Sequence, residues 1–132
     1  MERMLRHNFK NLRIWQKSMD LVDLIYAYTD DLPIEERYNL ISQINRSVCS
    51  VPSNIAEGSG KRTSLHFGEF LTTALTSSFE LDTQLLICKR RCYGSSKKLE
   101  ECLELLAEVQ KMIFAFREYI LNNEIRTQNL NS

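Results

Sequence analysis

Along four separate segments of this chain, apolar and small residues recur at alternating spacings of four and three, and this periodicity constrains the fold more than any other feature. The first stripe reads Ile14, Ser18, Leu21, Ile25, Tyr28, Leu32, and the second Ile41, Ile44, Val48, Val51, Ile55, Gly58. The third reads Phe67, Leu71, Ala74, Ser78, Leu81, Leu85, Cys88, Cys92, and the fourth Cys102, Leu106, Val109, Ile113, Phe116, Ile120. A strand would alternate every second residue, and none of these segments does. The chain holds only four Gly and two Pro, too few for a protein built from many strands and turns.

The punctuation between stripes predicts helices over about 13–31, 35–58, 64–92 and 96–121 within one domain of residues 1–121. Asp31-Leu32-Pro33 ends the first, because the residue before proline is pushed out of the helical region. Pro33, Glu35 and Glu36 suit the first turn of the second, where negative charge meets the positive end of the helix dipole. Gly58-Ser59-Gly60 closes that helix; Thr63 or Ser64 caps the third, and Ser95 or Ser96 the fourth. Connections this short make consecutive helices antiparallel neighbours. The expected fold is therefore all-α, an up-down-up-down four-helix bundle, with residues 122–132 a polar, flexible tail. Pro52 lies inside the second stripe; its missing N–H and its clash with the carbonyl four residues back predict a kink or break.

No stretch approaches the ~20 consecutive apolar residues of a membrane span, and no apolar signal core follows the basic N-terminus. The expected location is cytoplasmic, with Cys49, Cys88, Cys92 and Cys102 as reduced thiols. A di-metal site in such a bundle wants Glu-x-x-His pairs, which this sequence lacks. Cys88, Cys92 and Cys102 offer three thiols for a soft metal, but their stripe positions favour buried, inert side chains. No nucleophile elbow, phosphate loop or dinucleotide fingerprint is present. The reading is of a non-enzymatic chain with no cofactor and no evident small-molecule substrate.

Charge points to surfaces instead. The chain carries 17 basic and 17 acidic side chains, a balance that disfavours strong non-specific nucleic-acid binding. Cationic residues nevertheless gather in two groups, at opposite ends of an antiparallel bundle. Arg6, Lys10, Arg13 and Lys17 join Lys61 and Arg62 at one end, and Lys89, Arg90, Arg91, Lys97 and Lys98 form the other. These are the candidate nucleic-acid contacts. On the fourth helix Leu105, Met112 and Tyr119 form an extra apolar stripe, a candidate subunit interface.

Several strings resemble the 23S rRNA intervening-sequence protein family, whose members are also called four helix bundle proteins. They are Leu12-Arg13-Ile14-Trp15-Gln16-Lys17, Ser42-Gln43-Ile44-Asn45-Arg46, Val51-Pro52-Ser53-Asn54-Ile55-Ala56-Glu57-Gly58 and Phe67-Gly68-Glu69-Phe70-Leu71. The resemblance implies a ring-forming homo-oligomer, typically a homopentamer. It also implies kinship with the accessory variability determinant proteins of diversity-generating retroelements, which bind a reverse transcriptase and RNA through basic surfaces. Those relatives are markedly basic, whereas this chain is neutral. Within the motif, Gln43, Arg46, Asn54 and Glu57 are the polar positions singled out: Arg46 and Glu57, three turns apart on one side of the second helix, are expected to make subunit or ligand contacts, or else Asn54 and Glu57 satisfy backbone groups that Pro52 frees. The expectation is a homo-oligomeric, pentamer-like binding module contacting RNA or a nucleic-acid-processing protein such as a reverse transcriptase. The alternatives are a protein-interaction scaffold without RNA affinity and, further off, an enzyme using a cleft near Glu57.

Overall fold

Four α-helices form in the order the stripes dictate: α1 (Arg13–Thr29), α2 (Ser42–Ser59), α3 (Ser64–Arg91) and α4 (Ser96–Leu130). The structure is a computed structural model that describes residues 8–130, with side chains through Asn123. Among the described residues there is no strand. Each helix packs against the next, and α1 closes the bundle against α4. The result is an antiparallel up-down-up-down four-helix bundle.

Almost every stripe residue is inside. Leu21, Ile25, Ile44, Val48, Val51, Ile55, Leu71, Leu81, Leu85 and Ile113 are completely buried, each stabilising the fold by roughly 1.5–3 kcal/mol relative to exposure. The small members Ser18, Ala74 and Ser78 let the helices approach, and both serine hydroxyls donate to carbonyls of their own helix. Gly58 and Gly68 serve the same end. A Cβ on Gly58 would lie 2.7 Å from the Phe70 Cβ, and one on Gly68 would lie 2.6 Å from the Leu121 Cδ2.

The helix ends follow the expected chemistry. Thr63 Oγ1 accepts from the His66 N–H, and Ser95 Oγ accepts from the Lys98 N–H, so each caps its helix. Lys89, Arg90 and Arg91 occupy the last turn of α3. That helix closes on Cys92 in the left-handed conformation (φ 58°), with the Tyr93 N–H bonded back to the Cys88 carbonyl.

Four expectations need correction. Cys92 leaves the third stripe and is exposed, because the left-handed turn carries it off the helix face. Of the kink or break expected at Pro52, the break is absent: α2 runs unbroken from Ser42 to Ser59, with Pro52 buried inside it. The second helix begins as a 3-10 turn (Ile34–Glu36) and a π-helical turn (Arg37–Ile41), and regular α geometry starts at Ser42 rather than near 35. α4 continues to Leu130, taking in most of the segment read as a tail, since residues 122–130 contain no Gly or Pro to stop a helix.

Candidate functional site

The end of the bundle where α1 meets the α3–α4 turn is tied by a chain of hydrogen bonds. The buried Tyr28 hydroxyl donates to the Tyr93 carbonyl at 2.8 Å. The Tyr93 hydroxyl donates to Glu36 Oε2 at 3.1 Å, and Glu36 Oε1 accepts from Asn39 Nδ2 at 3.2 Å. Asn39 Oδ1 in turn accepts from Gln43 Nε2 at 2.9 Å. Gln43 thereby anchors the connector between α1 and α2, a structural role. Burial pushes the Tyr28 phenol far above its ordinary range, and the nearby Cys88 thiol adds to the rise. The bond to Glu36 raises Tyr93.

Of the other motif positions, Asn54 Nδ2 donates to the Ser50 carbonyl at 2.8 Å and the Ser50 hydroxyl at 3.0 Å. It does not reach the Val48 carbonyl, the group that Pro52 leaves without its helical donor. Arg46 and Glu57 are exposed, and neither makes an ion pair among the described residues. Eleven residues of helix separate them by about 16 Å, so they are not each other's partners. A polar seam beside them joins α2 to α3: Ser47 Oγ donates to Gln84 Oε1 at 3.0 Å, and Ser50 and Ser77 hydroxyls meet at 2.8 Å.

The two cationic groups lie at opposite ends, as the helix order requires. At the α2–α3 end Lys10 sits 5.9 Å from the Phe9 ring centroid and Lys61 5.1 Å from that of Phe70. Arg13 and Arg62 are exposed there, while Lys17 pairs with Glu108 at 3.3 Å. Arg6 lies outside the described residues. At the other end Lys89 pairs with Glu100 at 3.3 Å and Lys98 with Asp31 at 3.0 Å. Arg90, Arg91 and Lys97 are exposed and carry the remaining positive charge.

Cys88 and Cys102 are buried, and burial raises both thiols, Cys102 to about 11. Such thiols stay protonated and are poor metal ligands. Among the described residues no group of three or more His, Cys, Asp or Glu is placed to hold a metal ion. No helix among them is long and apolar enough to cross a membrane.

The candidate interface on α4 is only partly available. Leu105 and Met112 pack half-buried against the core, while Tyr119 remains 58% exposed beside Phe116. Met112 and Phe116 instead wall a mainly apolar groove of about 440 Å³ with Leu12 and Ile14. Other exposed apolar side chains lie elsewhere, among them Phe79, Leu86 and Ile87 on α3 and Phe114 on α4. Phe114 shares a helix face with Gln110 and Arg117, which bond across to Asp82 and Thr72 of α3. Sequence reasoning missed this surface. Its signal was a second register on α3, Leu65, Thr72, Phe79 and Leu86 at intervals of seven.

Fold and surfaces together define a small helical-bundle protein with apolar and cationic surfaces. A family model described as 23S rRNA-intervening sequence protein matches residues 10–115, and the chain belongs to that family. Among solved structures it is similar to a protein of unknown function from the S23 ribosomal protein family of Bacteroides thetaiotaomicron. That likeness has a TM-score of 0.71 at 23% identity, covering 79% of this chain and 97% of the other. It speaks for the fold alone. No curated protein matches.

Proposed function

We propose that this chain is a non-enzymatic subunit of a ring-forming, pentamer-like homo-oligomer that binds RNA or a nucleic-acid-processing protein such as a reverse transcriptase. The observation that carries the reading is the apolar surface of α3 and α4. The bundle already buries a complete core, yet Phe79, Leu86, Ile87 and Phe114 stay between 43% and 54% exposed. Contact between copies would bury these side chains. Repeating a subunit around a ring also multiplies Arg90, Arg91 and Lys97 at one end, and Arg13 and Arg62 at the other, cations that form no ion pair among the described residues. That repetition would allow a neutral chain to present concentrated positive charge. The family description, which refers to an intervening sequence of 23S rRNA, is consistent with an RNA setting.

A second reading, a protein-interaction scaffold without RNA affinity, is favoured by a specific observation. Lys17, Lys89 and Lys98 are each engaged by a carboxylate of the same chain and are not free for phosphates. Light scattering coupled to size exclusion separates the two. The ring reading expects a discrete oligomer that gains mass with structured RNA and loses it as salt rises. An oligomer indifferent to RNA at low and moderate salt supports the scaffold, and a monomer refutes the ring.

A further inference from the structure

A groove of about 380 Å³ opens between the end of α1 and the start of α2, lined by Tyr26, Thr29, Asp30, Leu32, Ile34, Arg37, Ile41 and Asn45. We propose that it binds a free α-amino acid with an apolar side chain. Its volume falls in the range of small-molecule sites, roughly 300–1,000 Å³.

The chemistry of the lining selects the ligand. Asp30 and Arg37 border the same groove with opposite charges, and neither makes an ion pair within 4.0 Å among the described residues. The Arg37 guanidinium lies over the Tyr38 ring, 5.9 Å from its centroid. A lone anion in the groove would face the Asp30 carboxylate, and a lone cation would face Arg37. A zwitterion satisfies both. Its carboxylate suits the fork of donors on Arg37, and its ammonium suits Asp30.

Asn45 adds a further polar group. Its amide lies 3.2 Å from the Thr29 hydroxyl, which is equally close to the Tyr26 carbonyl, and the other end of the amide faces the groove. The rest of the lining is aliphatic: Leu32, Ile34 and Ile41. Ile34 is 66% exposed, a large apolar residue with nothing over it, and an apolar ligand side chain would cover it. The backbone carries a matching irregularity. Arg37 and Ile41 are the two ends of the π-helical turn, so the widened turn sets both residues on the groove. Such turns concentrate at functional sites. This inference is independent of the ring reading, since none of the lining residues belongs to the two cationic groups or to the α3–α4 surface.

Isothermal titration calorimetry on the full chain tests it, with L-leucine, L-isoleucine and L-phenylalanine as probes. Saturable binding of at least one is expected. Leucinamide, which lacks the carboxylate, and 4-methylpentanoate, which lacks the ammonium, should each bind at least about tenfold more weakly than leucine. Asp30→Asn and Arg37→Gln should each weaken the amino acid by a similar factor. The absence of saturable heat with all three probes would overturn the proposal. So would analogues that bind as well as their parent, or either variant binding like the native chain. Circular dichroism reports whether the variants fold, and the analogue series on the native chain decides the matter if they do not.

Discussion

Replacing Gly58 by Ala isolates the contact that lets α2 and α3 close on each other. The new Cβ would stand 2.7 Å from the Phe70 Cβ and 2.9 Å from the Phe67 Cδ1. Carbon atoms prefer about 3.5–4.0 Å, so something must move by roughly 1 Å. The Phe70 Cβ is bonded to the backbone and moves only with α3. Phe67 is 4% exposed and packs edge-on against Phe116 at 5.6 Å, so its ring has little room to swing. Overpacking of this kind costs about 2–3 kcal/mol. Removing a helical glycine returns at most about 1 kcal/mol. The net expectation is a loss of about 1–2 kcal/mol.

Gly60→Ala is the built-in comparison. It lies two residues further on, has an ordinary helical φ of −88°, and its nearest Cβ neighbour would be the Glu57 carbonyl at 3.6 Å. It should be neutral or stabilising by up to about 1 kcal/mol. Urea unfolding followed by circular dichroism, at one fixed protein concentration, measures both. Equal midpoints for the two variants, or a Gly58→Ala chain more stable than the native one, would refute the close-approach argument.

Tyr28→Phe leaves the Tyr93 carbonyl without its 2.8 Å donor and should cost about 1–2 kcal/mol in the same unfolding assay. Phe79→Asp places a charge on the exposed α3 face, 51% accessible in this chain. It should lower the solution mass by light scattering while leaving the helical circular dichroism unchanged; an unaltered mass would remove that face from the assembly. Alkaline pH should weaken the fold. The Cys102 thiol is raised from an ordinary 9.0 to about 11, so the unfolded chain ionises first and stability falls between those two pH values. Full stability is kept below 9.0 and the loss is complete above about 11, amounting to about 1–3 kcal/mol. Ultraviolet thiolate absorbance that rises together with unfolding would bear this out, whereas a Cys102 that ionises in the folded chain near pH 9 would contradict it.

Four helices, their order and nearly all of their buried residues were legible in the sequence, because a stripe of spacing four and three is a local property of each segment. Ile14 through Leu32 on the first stripe are buried without exception, and so are Cys102, Leu106, Val109, Ile113 and Ile120 on the fourth. The caps Thr63 and Ser95 were legible for the same reason, since each acts on an N–H only three residues away. Other features depended on the geometry of a turn or on where distant segments meet. Cys92 has the right spacing for the core, yet the left-handed turn that closes α3 carries it into solvent. Leu105 and Met112 looked like a free outer stripe until packing against the core left only Tyr119 well exposed. The Tyr93–Glu36 bond spans 57 residues and Ser47–Gln84 spans 37, and no local spacing encodes either pairing. The groove at Asp30, Arg37 and Asn45 gathers residues from the end of α1, the connector and the start of α2, with Arg37 and Ile41 on a π-helical turn. Periodicity sets which face of a helix turns inward; the depth and register of the contacts are settled only when the other helices arrive.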